Sequence, residues 1–223
     1  MGNLLGYDWV RDASTGKVIV NPVTGYPTKS STLTNFGRVT PRDIIGITST
    51  VSYKAFSFTA TADYRSGYVI YNQIGKTLDH SGVGLTTAVA GRQRFVFPNS
   101  VYADASGKYV DNTNIEVQDG NFNFWPSIYN SIDGNYIVSA AAWKLREATL
   151  GYTIPAQWLR TRAKFIKGAN ISISGRNLLM YRPSTNKWTD PEYSETTGNA
   201  VGYTTYNQAP PTRIYTGTIS VTF

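Results

Sequence analysis

Residue types that carry out catalysis are scarce in this chain. Its 223 residues include no cysteine and a single histidine, His80. Cysteine nucleophiles, thiolate metal sites and disulfides are therefore excluded, and neither a histidine-based triad nor a multi-histidine metal site can form within the chain. The carboxylates of Asp190 and Glu192 flank Pro191, a spacing that is typical of a turn. The sequence thus predicts a protein that is not an enzyme, with no metal and no cofactor.

Aromatic side chains offer a different kind of chemistry, because their rings can stack on the faces of sugars or peptides. The chain carries 16 Tyr, 9 Phe and 5 Trp residues, and aromatics make up 13% of the sequence. Six of them lie in long stretches without a regular period and are candidate contacts for a glycan, a peptide or a protein partner: Trp125, Tyr129, Tyr136, Trp188, Tyr193 and Tyr206.

Cations outnumber anions, with 21 Lys and Arg against 14 Asp and Glu, and the formal net charge is +7. Four of the cations form one cluster: Arg160, Arg162, Lys164 and Lys167. Nucleic-acid binding would need a broader basic patch with base-stacking aromatics around it, so no nucleic-acid partner is expected. Contact with the anionic surface of a membrane explains the cluster with fewer requirements.

Five segments alternate apolar and polar residues with a period of two, which predicts antiparallel β-strands. They are 45–53, 56–64, 143–154, 170–179 and 213–223. Only Lys54 and Ala55 separate the first two, so these form a tight hairpin. The stretch 155–168 is a short connection that can start with a helical turn at Pro155. The stretches 65–140 and 180–212 are long loops, and 1–44 is a loop with a small hairpin.

The polar positions of these strands are mostly Ser, Thr, Gly and Asn, and charged residues are only 16% of the chain. The longest apolar runs have four residues, whereas a transmembrane helix needs about 20. Transmembrane helices are therefore excluded, but transmembrane strands are not. Two architectures remain open at this point: a membrane barrel with a lumen of small polar residues, or a stand-alone soluble β-sandwich that binds carbohydrate.

Three ordered motifs occur towards the end of the chain. They read AWKLREATLGYTIP at 142–155, ISISGRNLL at 171–179 followed by TDPE at 189–192, and PTRIYTGTISVTF at 211–223. Together they resemble the C-terminal segments of the SusC/RagA family of TonB-dependent outer-membrane transporters. The positions that carry the resemblance are Leu145, Arg146, Leu150, Gly151, Tyr152, Pro155, Asn177, Leu178, Asp190, Pro191, Glu192 and Arg213.

The resemblance implies the fold and the function of a larger protein. Family members have a plug domain inside a barrel of roughly 22 strands, and this chain would supply the last five strands at 45–223. The resemblance further implies the bacterial cell outer membrane, import of glycans or oligopeptides energised through TonB, and extracellular positions for 1–44, 65–140 and 180–212. Residues 1–10 show no signal peptide, and five open strands would leave two unpaired edges in lipid. We therefore expect a C-terminal fragment.

Partners follow from the same resemblance. They are a SusD-like surface lipoprotein, the TonB complex through missing N-terminal regions, membrane lipid, and a glycan or peptide substrate. The aromatic residues named above could contact the substrate directly or pack against the lipoprotein lid. The barrel-assembly machinery is expected to recognise the final strand through one face: Tyr215, Ile219, Val221 and Phe223.

Two departures from the family pattern stand out. Arg65–Tyr68 replaces a pair of glycines that often follows the upward strand, and Arg176 replaces the usual Gln before Asn177. The second change is expected to put a cation on the lumen side near the rim.

Overall fold

The computed structural model describes residues 2–163, 165–194, 198, 201–205, 207, 209 and 211–223. Its described residues form two short α-helices, α1 (Gln73–His80) and α2 (Ala156–Arg162), and neither is long and apolar enough to cross a membrane. They also form twelve strands: β1 (Asn3–Gly6), β2 (Val18–Ile19), β3 (Thr34–Arg38), β4 (Asp43–Tyr53), β5 (Phe56–Ser66), β6 (Val69–Tyr71), β7 (Ser100–Ala103), β8 (Tyr109–Asp111), β9 (Ile137–Ser139), β10 (Ala142–Thr153), β11 (Gly168–Tyr181) and β12 (Ile214–Thr222).

The chain divides into two compact units. The described residues of 41–67, 140–184 and 209–223 form one, which we call the sheet unit. The described residues of 1–40, 68–139 and 185–208 form the other, which we call the aromatic unit. The prediction of a mostly β chain with antiparallel strands is confirmed.

The sheet unit is a single antiparallel sheet in the order β12-β11-β10-β5-β4. Its strands cover the segments in which the sequence alternates, except for Ile154, Arg213 and Phe223, which lie just beyond the strand ends. The two-residue connection at Lys54 and Ala55 pairs Tyr53 with Phe56, and threonines meet across the hairpin, with 3.1 Å between the hydroxyls of Thr48 and Thr61. Within the described part of the chain the five strands do not close into a barrel, and β4 and β12 each pair on one side only.

One face of this sheet is apolar and uncovered. Its central side chains are between 46% and 72% exposed: Ile47, Val51, Phe58, Leu150, Ile173 and Ile219. The opposite face carries the Ser and Thr rows. In contrast to a sheet that packs on a core, the described residues of this unit bury only three apolar side chains, those of Ala140, Ala142 and Leu159. Exposed apolar area of this extent marks a surface that needs a further covering.

A β-bulge interrupts the register in the middle strands. Arg146 stands opposite two residues of β11, Asn177 and Leu178, between the regular pairs Leu145–Leu179 and Glu147–Arg176. Asn177 takes the left-handed φ of 54° that this extra residue requires, and its side-chain amide donates to the Thr212 carbonyl at 3.0 Å. The bulge also lets the Arg146 guanidinium reach the carboxylate of Asp63, which accepts from Arg65 as well.

Substitution of Asn177 should separate its two roles. We expect Asn177→Ala to lower the free energy of unfolding by about 1–2 kcal/mol, because alanine tolerates this left-handed φ less well than asparagine and also loses the hydrogen bond to Thr212. Asn177→Gly keeps the backbone relaxed and loses only the hydrogen bond to Thr212, about 0.5–1.5 kcal/mol. Urea unfolding of the full-length protein in detergent, followed by tryptophan fluorescence, measures both. A glycine variant that is less stable than the alanine variant would refute this account of the bulge.

The aromatic unit contains the main hydrophobic core of the described residues. Its centre is Phe124, which is fully buried and contacts the rings of Tyr26, Phe95, Phe97, Trp125 and Tyr129 at centroid distances from 4.8 to 6.3 Å. Around it lie short sheets, β1-β3, β2-β7-β8 and β6-β9. The stretch 65–140 is thus folded, although the sequence shows no sustained period there. Its strands and helices are too short for a period to develop.

The region of the expected small hairpin has mixed pairing. Val18 and Ile19 of β2 pair in parallel with β7, and Val20 forms an isolated antiparallel bridge with Pro27. The segment for which the sequence predicts a local hairpin therefore also pairs with β7, a strand about 80 positions later in the chain.

Candidate binding pocket

A cavity of about 350 Å³ opens in the aromatic unit beside α1. Its apolar walls are Leu78, Leu85, Tyr129, Tyr136, Val138 and Trp188, and its polar lining is Asn72, Asp79, Thr86, Asn135, Thr185 and Lys187. This volume lies at the lower end of small-molecule sites, which suits a group the size of one side chain or one sugar ring.

Helix α1 contributes Asp79 to the lining of the cavity. The helix begins after Asn72, whose side chain accepts from the Gly75 backbone N–H at 3.0 Å. Leu78 and Asp79 then lie on the side that faces the cavity, together with Gly75. The following turn passes so close to Asp79 that a Cβ at position 84 would overlap its Oδ1, and a larger residue there would displace the Asp79 side chain.

Hydrogen bonds and a ring contact fix the positions of two aromatic residues of the cavity, Tyr129 and Tyr136. Tyr129 ends a π-helical turn, Phe124–Tyr129, and its carbonyl accepts from the Asn135 amide at 2.9 Å. The Tyr136 hydroxyl accepts from the Asn130 amide at 3.3 Å, and its ring meets that of Tyr129 edge to face. Burial raises the pKa of Tyr129 to about 12 and raises that of Tyr136 further, with the Asp79 charge adding to both. Both phenols therefore stay protonated.

Asp79 is the main electrostatic feature of the pocket. Its side chain is 6% exposed, and this burial raises its pKa above the ordinary range. Hydrogen bonds from Tyr136 and Thr86, and the more distant charge of Lys187, act in the opposite direction but do not cancel the effect of burial. No ion pair joins Asp79 to a lysine or arginine in the described ranges.

The raised pKa of Asp79 has a consequence for stability. The folded state disfavours the carboxylate, so the free energy of unfolding falls as pH rises from the unfolded pKa of about 3.9 through the higher folded pKa. Asp79→Asn keeps an oxygen acceptor for Tyr136 and Thr86 and removes this penalty. We expect the variant to melt at a higher temperature than wild type at pH 7, with the difference vanishing below about pH 3.9. A variant that melts lower at pH 7 would mean that the carboxylate stabilises the fold.

The structure gathers three of the six predicted contact residues in this pocket: Tyr129, Tyr136 and Trp188. Trp125 lies behind them, 4% exposed, with its indole N–H donating to the Gly120 carbonyl. It also lines a second cavity of about 470 Å³ with His80, Arg92 and Phe122. Tyr193 is half-exposed and lines neither cavity, and Tyr206 lies outside the described residues.

Sequence reasoning missed Asp79, Asn135 and Lys187. Five separate segments build this pocket, and no spacing in the sequence brings them together. The described residues contain no group of three or more potential metal ligands.

The motif residues take up structural positions. Gly151 is opposite Ser57, and a Cβ there would lie 2.6 Å from the serine hydroxyl. Asp190 accepts from the Glu192 N–H across Pro191 at 3.0 Å, and the Tyr68 hydroxyl donates to the Pro191 carbonyl at 3.4 Å. The segment is thus a turn. Pro155 directly precedes α2. Leu145, Leu150 and Tyr152 lie on the apolar face, and Leu178 lies in the bulge.

The last strand and the basic cluster are exposed. Tyr215, Ile219, Val221 and Phe223 share one face of the final segment, and the Phe223 ring stacks on Phe165 with centroids 6.3 Å apart. Arg213 directly precedes β12. Arg160, Arg162 and Lys167 are exposed around α2, and Lys164 is outside the described residues. Arg176 pairs with Glu147 across the sheet at 3.0 Å.

Comparison with known proteins shows where this fold recurs. No family model matches the chain, and no curated protein matches its sequence. Solved structures of the RagAB peptide importer do match. The 'open-open' state aligns over 99% of this chain with 19% identity and a TM-score of 0.64, and the 'closed-closed' state aligns with 19% identity and a TM-score of 0.62. A further RagAB peptide transporter structure gives 0.63 at 19% identity. This chain spans only 22–23% of those chains, so the likeness concerns the fold.

Proposed function

We propose that this chain is the C-terminal barrel portion of a TonB-dependent nutrient importer of the SusC/RagA type in the bacterial outer membrane. The observation that carries the proposal is the uncovered apolar face of the sheet unit. Its strands are 9 to 14 residues long, and a tilted strand needs about 9–11 to cross a bilayer. Lipid supplies the covering that this face lacks, and further strands supply partners for β4 and β12.

Aromatic residues at both ends of the apolar face support a bilayer position. At one end the Phe56 and Tyr152 rings are 4.7 Å apart, next to Tyr53. At the other end Tyr64 stacks on Trp143 at 4.8 Å, and Trp143 pairs with Tyr181. Phe56 and Tyr64 are eight positions apart on β5, which is about 27 Å along the strand and about 19–22 Å along the membrane normal at the usual strand tilt. Membrane barrels have an apolar band about 25 Å tall between two aromatic girdles.

A soluble β-sandwich, the rival interpretation, fits these features less well. A sandwich buries the apolar face of each sheet against a second sheet about 10 Å away. In the described residues of the sheet unit no second sheet is present. The central side chains of the apolar face are between 46% and 72% exposed.

The proposed function also assigns the long loops to one side of the membrane and gives them partners. We assign 1–44, 65–140 and 180–212 to the extracellular side, where the aromatic unit would meet a substrate or a SusD-like lipoprotein lid. The RagAB structures are of a peptide importer, and an oligopeptide is therefore a reasonable substrate here, with a glycan as the other candidate. Energy would come through the TonB complex and segments outside this chain, and the assembly machinery would capture the last strand at Phe223.

Cell fractionation of the full-length gene product tests the proposal. We expect it in the outer membrane, migrating faster on gels before heating than after, as folded barrels do, and carrying a surface lipoprotein through affinity purification. The 223-residue chain expressed alone should require detergent. A monomeric product that folds in plain buffer, with the apolar face shielded, would overturn the proposal.

A further inference from the structure

We infer that the Asp79 pocket binds a protonated amine or guanidinium. Such a group is found at the end of the aliphatic stem of a basic peptide side chain. It is also found directly on the ring of an amino sugar. The assignment concerns the ligand of the pocket described above, and it rests on the proposed function only for the source of that ligand.

The first support is the state of the carboxylate. Asp79 is almost fully buried, and the groups whose hydrogen bonding acts against the effect of burial on its pKa are hydroxyls, those of Tyr136 and Thr86. Buried carboxylates are normally paired with a cation, because desolvation otherwise makes the charge unfavourable. Within the described residues Asp79 has no such ion pair. A bound cation would complete its coordination from the cavity side.

The second support is the chemistry of the walls. The rings of Tyr129, Tyr136 and Trp188 line the same cavity as the carboxylate. The negative faces of aromatic rings attract cations, most strongly when the cation is desolvated. Leu78 and Val138 add an apolar surface against which an aliphatic stem can pack. Rings, carboxylate and aliphatic wall together match one cationic side chain better than a neutral sugar.

Lys187 is the group that opposes this assignment, since it lines the cavity with a like charge. Its side chain is exposed, and its charge is the smallest of the named influences on Asp79. Because this influence is small, a ligand cation that contacts the carboxylate directly interacts more strongly. The cavity volume of about 350 Å³ leaves room for that ligand beside Lys187.

Calorimetry on the full-length protein in detergent tests the inference. One probe is the pentapeptide AAKAA, acetylated and amidated at its ends, and its control carries Nε-acetyl-lysine in the middle. A second pair is the glucosamine disaccharide and its N-acetylated form. We expect one charged probe to bind about tenfold more tightly than its acetylated control. Preference for the peptide pair or the sugar pair identifies the source.

Two variants locate the effect. Asp79→Asn should abolish the preference for the charged probe, whereas Asp111→Asn should retain it, because Asp111 is exposed and pairs with Lys17 on the surface. Equal binding of charged and acetylated probes, a preference that survives Asp79→Asn, or no binding of any probe to folded wild type would overturn the inference. Heat-dependent gel mobility of the same samples reports on the barrel separately, so failure of the pocket and failure of the proposed function can be told apart.

Discussion

Replacing Phe124 with alanine is expected to destabilise the aromatic unit by about 3–5 kcal/mol, the largest effect of any single truncation considered for this chain. Phe124 is fully buried and contacts five other rings. Its loss leaves a cavity that these rigid rings cannot fill by small shifts. The free energy lost is a large part of the stability of a domain this size.

Limited proteolysis of the full-length protein measures this effect. Cleavage within 68–139 should become much faster in Phe124→Ala, while the sheet unit stays resistant. The matched control is Phe122→Ala, two residues away, because Phe122 is 78% exposed and loses little on truncation. Equal protease resistance of the Phe124 variant and wild type would contradict the assignment of the core.

A lysine on the apolar face of the sheet should have the second large effect. Leu150 lies opposite Phe58 and Ile173. If this face meets lipid, Leu150→Lys costs about 2–4 kcal/mol towards the middle of the bilayer and less near its interfaces. The neighbouring Thr149 pairs with Thr59 and Ser174 on the polar face, where a lysine remains hydrated.

The amount of folded protein in the outer membrane compares the two variants. Leu150→Lys should accumulate poorly and lose its heat-dependent gel shift at a lower temperature, and Thr149→Lys should resemble wild type. In a soluble protein the exposed Leu150 would tolerate lysine. Equal behaviour of both variants would therefore argue against a lipid-facing surface.

The strands of the sheet unit can be predicted from the sequence, because a period of two depends only on neighbouring residues. Ile171 and Ile173 alternate with Ser172 and Ser174 in the sequence, and they alternate between faces in β11. The β-bulge cannot be predicted in this way, since the register shift at Arg146 depends on how three strands align. The left-handed conformation of Asn177 explains the motif residue only after the register is known.

The aromatic unit and its pocket could not be derived in this way. Its strands have two to five residues, and its order comes from contacts between distant segments such as Tyr26 and Phe124. Tyr129, Tyr136 and Trp188 were visible as aromatic residues in long polar stretches. Asp79 was not, because nothing in the sequence indicates that it is buried beside them.

Spin labels placed along β10 report whether this strand spans the bilayer. The chain has no cysteine, so single cysteines at 148, 149, 150, 152 and 153 can be labelled in the full-length protein after any upstream cysteine is replaced by serine. For a membrane-spanning sheet we expect labels at 148, 150 and 152 to collide preferentially with oxygen, which partitions into lipid. Labels at 149 and 153 should collide preferentially with a water-soluble nickel complex. Uniform access of the nickel complex to all five positions would contradict a membrane-spanning sheet.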